Sequence, residues 1–293
     1  MSLDQNQHYL PQSYQRGWLG PNCKVYVYHL PYDRLICEPK ATKSTGGRDG
    51  LYYVPMAPSE FQNDFEDRFW KRVDQWGADG LKILLSRAGG EPTRAQLERL
   101  AIWLLSLELR NPRKLKEIND QAKIHVFEII GKIGYAAFRS PHHPQTFEEF
   151  QDALEQPGLC ELGARALREL VLHPEIRKKL LTMDWQVVSV TNSEPILTSD
   201  VPLIRYRGLD HHDGLWLLPL SKVEFLAIFN KDGPIDMKRS IEENIRDKVF
   251  VEAMNKYVVQ HKIDYVYASD DSQMPFVARY WMVSLTQSAS RVR

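Results

Sequence analysis

Hydrophobic and polar positions change period four times along the chain. Residues 24–29, Lys-Val-Tyr-Val-Tyr-His, form a β-branched and aromatic run that predicts a strand. Asp33-Arg34 predicts a turn into a second strand through Leu35, Ile36 and Cys37, and residues 38–50 collect Pro, Lys, Thr, Ser and Gly as a loop. From Pro58 the period becomes helical. Ser59 is an N-cap, and Phe61, Phe65, Phe69, Val73 and Trp76 recur at helical spacing. A second helix follows Pro92-Thr93 with Leu97, Leu100, Trp103, Leu104 and Leu107, and a third runs over 114–138 until Pro141-His142-His143-Pro144 breaks it. Short helices are expected at 146–155, 161–172 and 174–182. After Met183 the period returns to two, with strands at 185–190, 195–198, 215–218 and 225–229. A helix over 237–260 is expected to bury Ile241, Ile245, Val249, Ala253 and Tyr257, and a strand at 264–268 closes the series.

Strands, then helices, then strands predict the α+β class. The expected architecture is a mixed or antiparallel sheet built from N-terminal and C-terminal segments, with a helical layer or insert at about 59–182, all in a single domain over 1–293. The 293 residues are long enough for a sizeable core, and 43% hydrophobic with 26% charged residues is a globular mixture. Lys+Arg and Asp+Glu balance at 38 each, which excludes a generally basic nucleic-acid coat but not a local basic groove. Cys23, Cys37 and Cys160 are too few and scattered for a disulfide framework, and the polar N-terminus lacks an apolar signal core. No apolar stretch approaches a membrane span. A cytoplasmic protein without a membrane partner is expected, and its oligomeric state is open.

Several segments, taken in order, resemble one bacterial family without assigned activity, the domain-of-unknown-function family 4238. Residues 7–18, with His8-Tyr9, Pro11, Tyr14, Arg16 and Trp18, are similar to its H-Y-x-P-x-x-Y-x-R-x-F start, with Trp18 where Phe is usual. Arg110-Asn111-Pro112 is similar to its R-x-P, Thr198-Ser199-Asp200-Val201-Pro202 to T-S-D-x-P, Leu218-Pro219-Leu220-Ser221 to P-L-S, and Asn255 with Tyr265-Val266-Tyr267 to N…Y-V-Y. The resemblance implies a layout over nearly the whole chain and no chemistry.

The polar members of these segments are the candidate site. His8 offers a general base or metal ligand, or a ring packed on an aromatic neighbour. Arg16, eight residues on, shares a face with His8 if the stretch is helical, and it supplies either an anion clamp or a surface charge. Glu108 and Arg110 end an apolar helix. Glu108 is a candidate base or cation ligand, and Arg110 is an anion clamp or a bond donor to helix C-terminal carbonyls. Ser199 and Asp200 follow a strand and either gather around a ligand or close a turn on their own backbone. Asn255 is a candidate substrate contact.

Asp210-His211-His212-Asp213 and His142-His143 tempt a metal reading, although adjacent side chains usually point different ways. Lys238, Arg239, Arg246 and Lys248 are interleaved with Glu242, Glu243 and Asp247, so a mixed solvent face outweighs a phosphate contact. Tyr26, Tyr28, Tyr52 and Tyr53 suit either base stacking or a core. There is no P-loop, no G-x-G-x-x-G after a strand, no G-x-S-x-G and no HExxH.

Two functions fit these residues. One is a hydrolase acting on a phosphodiester or nucleotide, a nuclease-like effector with His8, Glu108 and Asp200 as catalytic groups, Arg16, Arg110, Ser199 and Asn255 as substrate contacts, and a divalent metal as a candidate cofactor. The other is a non-enzymatic regulatory or interaction module that binds a small anion or a protein partner. In it the same side chains form a buried network joining the N-terminal segment to the sheet.

Overall fold

A computed structural model describes residues 6–52, 65–86, 92–138, 140–141, 145–154, 158–190, 194–231, 243 and 248–281. The first sheet-forming segments are β1 (Asn6–His8), β2 (Val25–His29), β3 (Ile36–Lys40) and β4 (Gly47–Asp49), with the short helix α1 (Gln12–Gln15) and a 3-10 turn at Arg16–Trp18 between β1 and β2. The helical middle follows. A π-helical turn at Phe65–Trp70 runs into α2 (Lys71–Leu85), then come α3 (Arg94–Leu109), α4 (Pro112–Ile133), α5 (Tyr135–Phe138), α6 (Phe147–Leu154), α7 (Gly158–Val171) and α8 (Pro174–Thr182). The last part holds β5 (Asp184–Ser189), β6 (Thr198–Ser199), β7 (Ile204–Tyr206), β8 (Leu215–Ser221), β9 (Glu224–Phe229), α9 (Lys248–His261), β10 (Val266–Ala268) and α10 (Met274–Trp281).

The class is α+β, and every strand pair is antiparallel. One four-stranded sheet, in the order β3-β2-β10-β6, joins N-terminal to C-terminal segments as the sequence predicts. A second four-stranded sheet, β5-β9-β8-β7, comes wholly from the C-terminal part, and β1-β4 make a separate ribbon. The ribbon pairs β4, which reads as loop, with β1, for which no strand is predicted, and α10 lies beyond the last predicted strand.

The second sheet lies between two apolar clusters. Along β9, Leu226 and Ile228 pack with the helical layer, while Phe225, Ala227 and Phe229 pack with α9, α10 and the first sheet. This explains why β9 is apolar at successive positions, since a strand covered on both faces has no solvent side to mark with polar residues. Helix α3 starts at a capping box: Thr93 Oγ1 accepts from Gln96 N at 3.3 Å, and Gln96 Oε1 accepts from Thr93 N at 2.8 Å. It locks onto α2 through two glycines. A Cβ on Gly77 would lie 2.2 Å from the Trp103 ring, and one on Gly80 2.1 Å from Leu100.

Helix α9 buries Val251, Asn255, Val258 and Val259, whereas Val249 and Ala253 are exposed and Tyr257 is half-buried. The expected face is therefore rotated. A buried amide, Asn255, occupies the centre of the true face, so apolar spacing alone selects the wrong stripe. Ser59, Phe61, Ile241 and Ile245, also part of the helix expectations, lie outside the described residues. Among the described residues no helix is long and apolar enough to cross a membrane.

Candidate functional site

The N-terminal segment is the element that gathers polar side chains from the rest of the fold. It is not one helix. Asn6–His8 is a strand paired to Gly47–Asp49, and helical backbone begins only after Pro11. The register that would align His8 with Arg16 therefore does not form. Arg16 is exposed and makes no ion pair among the described residues. Past His8, the amides of Tyr9 and Leu10 both donate to Gly46 O at 3.0 Å, and Gln15 Nε2 donates to Leu10 O and Thr45 O. Gly46 takes φ +67°, where a side chain is strained. Tyr14 and Trp18, one turn apart, are buried and reach the C-terminal strands. The Tyr14 hydroxyl meets Thr198 Oγ1 and Pro219 O, each at 2.8 Å, and Trp18 Nε1 donates to Ile196 O at 2.8 Å.

Arg110 sits where this segment crosses the helical layer. It closes α3 two turns after Trp103, on the face that meets α2. Its side chain is fully buried. Nε donates to Tyr9 O at 2.8 Å, and Nη2 lies 2.8 Å from Asp74 Oδ1, at ion-pair distance but without hydrogen-bond alignment. The guanidinium stands over the Trp70 ring at 5.3 Å, and its own carbonyl accepts from the Tyr52 hydroxyl at 2.5 Å. Thus Arg110 does bond a carbonyl, but that of the N-terminal segment rather than of its own helix. Four buried nitrogens in this neighbourhood have no hydrogen-bond partner among the described residues: Arg110 Nη1 and Nη2, Trp70 Nε1 and His8 Nε2. Burial pushes the His8 imidazole below its ordinary value, partly offset by the Thr42 carbonyl, and the Arg110 charge lowers it further. Burial pushes Asp74 up, and Arg110 pulls it back.

Glu108 belongs elsewhere. It is buried on another side of α3, where Oε1 meets Arg205 Nη2 at 2.9 Å. Burial raises its carboxyl, and Arg205 opposes the rise. Asn111 joins the two helices here: Nδ2 donates to Glu108 O at 2.9 Å, and Oδ1 accepts from Lys114 N at 3.0 Å, with Pro112 as the first residue of α4.

Asp200 and Asn255 are buried clamps on backbone. Asp200 Oδ1 accepts from Ile263 N at 2.8 Å, while Oδ2 accepts from Asp264 N at 2.6 Å and Tyr265 N at 3.0 Å. These bonds shape the link from α9 to β10. Burial nonetheless pushes the carboxyl up to about 6, because desolvation outweighs the three amides. Lys262, in the same link, is pushed down by burial to about 8 and lies 3.8 Å from the centre of the Trp281 ring. Asn255 accepts from Leu197 N and donates to Pro195 O, both at 2.9 Å. Ser199 closes a local turn, with Oγ donating to Val201 O at 3.0 Å and accepting from Val201 N at 3.2 Å.

The predicted site residues therefore fall into separate groups. His8 and Arg110 come together; Ser199, Asp200 and Asn255 serve the β6 region; Glu108 pairs with Arg205; Arg16 faces solvent. Tyr28 and Tyr52 are buried, so neither offers a ring to a base, and Lys248 pairs with Glu194 at 3.6 Å. Tyr53, His142, His143, Lys238, Arg239, Glu242, Arg246 and Asp247 lie outside the described residues. Asp74 and Trp70 are site residues that the sequence reading misses. Their signal is a stripe, Trp70, Asp74, Gly77 and Leu81, at helical spacing: an acid inside an apolar face demands a buried partner.

Fold and site define an α+β protein whose helical layer and antiparallel sheets are tied together by an N-terminal strap around a buried arginine. The chain belongs to the DUF4238 family, described as a protein of unknown function, whose profile matches residues 6–272. No curated protein and no solved structure matches it.

Proposed function

We propose that the protein is a binding module for a small anion, a carboxylate or phosphate group, held at the Arg110–His8–Trp70 cluster. One observation carries this reading: among the described residues, Arg110 Nη1, Trp70 Nε1 and His8 Nε2 are buried without a hydrogen-bond partner, with His8 in electrostatic reach of the guanidinium. Native proteins pair nearly all such groups, so the orphaned Arg110 and Trp70 donors favour an external acceptor, and His8 Nε2 becomes a further donor when the ring is protonated. Asp74 neutralises part of the Arg110 charge, and a protonated His8 would restore a net positive site. Both Asp74 and His8 are partly exposed, which supports access from solvent.

A phosphodiester or nucleotide hydrolase using His8, Glu108 and Asp200 on one substrate has less support. Both Asp200 oxygens are occupied by backbone amides, and Glu108 is held by Arg205. Calorimetric and tryptophan-fluorescence titrations with inorganic phosphate, adenosine monophosphate and malonate separate the readings. Saturable binding is expected with at least one of them, weakened in His8→Gln and strengthened in Asp74→Asn, which removes a competing carboxylate. No saturable binding, or binding indifferent to both variants, overturns the proposal. Turnover of nucleotide or nucleic acid that is lost in His8→Gln would favour the hydrolase.

A further inference from the structure

His8 brings a lone pair to the Arg110 cluster. Its backbone is fixed by pairing with Gly47 at the end of β1. The ring donates to the backbone carbonyls of Thr42 and Lys43, and the charged groups that face it are Arg110 and Asp74. Nε2 is buried and has no partner among the described residues, so Nδ1 is the nitrogen that donates. A neutral imidazole carries one N–H and one lone pair, and burial favours that neutral form. Nε2 is therefore an acceptor near neutral pH. A second buried acceptor, Asp74 Oδ1, also lacks a hydrogen bond among the described residues. The cluster thus sets two acceptors beside the unpaired donors Arg110 Nη1, Arg110 Nη2 and Trp70 Nε1.

This pattern discriminates between anions of equal charge. An oxyanion with lone pairs only, such as sulfate or a carboxylate, satisfies the donors but turns an acceptor towards His8 Nε2. A buried acceptor that faces another acceptor makes no hydrogen bond and bears the full cost of its desolvation. Hydrogen phosphate shares the tetrahedral shape and double charge of sulfate, and it keeps one O–H. That hydroxyl can donate to Nε2 while the other three oxygens accept. Asp74, 2.8 Å from Arg110 Nη2, already balances part of the positive charge, so charge alone gives little basis for choosing between the two ions.

We propose that the Arg110 cluster selects hydrogen phosphate, its hydroxyl donated to His8 Nε2 and its other oxygens accepting from Arg110 and Trp70. This assignment rests on the anion-binding reading above and narrows it to oxyanions that retain a proton.

The test is a calorimetric comparison of sodium phosphate and sodium sulfate on the full chain at pH 8 and matched ionic strength. Phosphate is expected to bind about tenfold or more tightly than sulfate, the cost of one unmade buried hydrogen bond. His8→Phe keeps a ring but has no acceptor, and it should bring the two affinities together. Acid offers a second readout that needs no variant. Once His8 is protonated, Nε2 becomes a donor. Sulfate should then gain more than phosphate as pH falls below 6.5, and the preference should shrink. Equal affinities at pH 8, or a preference unchanged by acid, overturn the selection while leaving the anion site standing. A preference that survives in His8→Phe places the hydroxyl on Asp74 and overturns the assignment to His8. If neither ion binds, the anion site fails and the selection fails with it.

Discussion

At the scale of single residues, protonation distinguishes a binding group from a clamp. His8 titrates below its ordinary value of 6.5 because burial disfavours the imidazolium. The unfolded chain then takes the proton more readily, so the His8 contribution to stability is complete above pH 6.5 and is lost as pH falls through the folded value. An anion at Arg110 reverses that preference. Phosphate or malonate affinity should therefore rise as pH drops below 6.5, and His8→Gln should flatten the profile; equal slopes in the two proteins would remove His8 from the site. Asp200 behaves in the opposite sense. Its folded value, about 6, exceeds the ordinary 3.8, so between those limits the folded state holds the extra proton and acid favours the fold. Asp200→Asn exchanges one acceptor oxygen for a donor facing a backbone N–H. At pH 7.5 this should cost about 1–3 kcal/mol in urea unfolding, with the deficit widening as pH falls from about 6 towards 3.8, where proton uptake stabilises the wild-type fold and the variant gains nothing. A deficit independent of pH would mean that Asp200 does not titrate in this range. The polar composition of the N-terminal, Arg110 and Asp200 segments was legible in the chain, whereas their division into separate clusters was not. That division depends on which backbone amides the fold delivers to each carboxylate, and Ile263, Asp264 and Tyr265 are more than sixty residues away from Asp200.

At the scale of elements, close approach outweighs intrinsic propensity. Replacing an interior helical glycine with alanine ordinarily stabilises by about 1 kcal/mol. At Gly77 the added methyl would sit 2.2 Å from the Trp103 indole, which is fully buried and has no space to retreat. Overpacking of this kind costs about 1–3 kcal/mol, so Gly77→Ala should lower the melting temperature, and a rise would show that α2 and α3 separate more easily than their packing implies. Elements with strong local signals were readable: α3 from its leucine spacing and Thr93, α8 from Pro174, and β8 and β9 from their apolar runs. Elements defined by a distant partner were not. β1 and β4 are short and polar, and only their mutual pairing makes them strands. The orientation of α9 was misread because its buried face centres on Asn255, whose amide replaces ladder bonds for Pro195 and Leu197.

At the scale of the whole molecule, the N-terminal strap is the joint between layers. Residues 6–18 pair with β4, bond Arg110 at the end of α3, and bond Ile196, Thr198 and Pro219 in the C-terminal part. The strap buries Tyr9, Leu10, Tyr14 and Trp18 almost completely. At about 1.5–3 kcal/mol for each large side chain, their removal forfeits about 6–12 kcal/mol. Net stability is about 5–15 kcal/mol for a typical domain, so this loss is of the same size as the whole. It is compounded because Arg110 and Thr198 would be left buried without their strap partners. A chain lacking residues 1–18 should therefore show no cooperative thermal transition in near-ultraviolet circular dichroism, whereas single changes such as Tyr14→Phe should only shift the transition downward. If the shortened chain instead melts sharply within a few degrees of the full one, the helical layer and sheets cohere without the strap. The polar residues at its start would then have to be explained by binding alone, and the anion titration at Arg110 would become the decisive measurement.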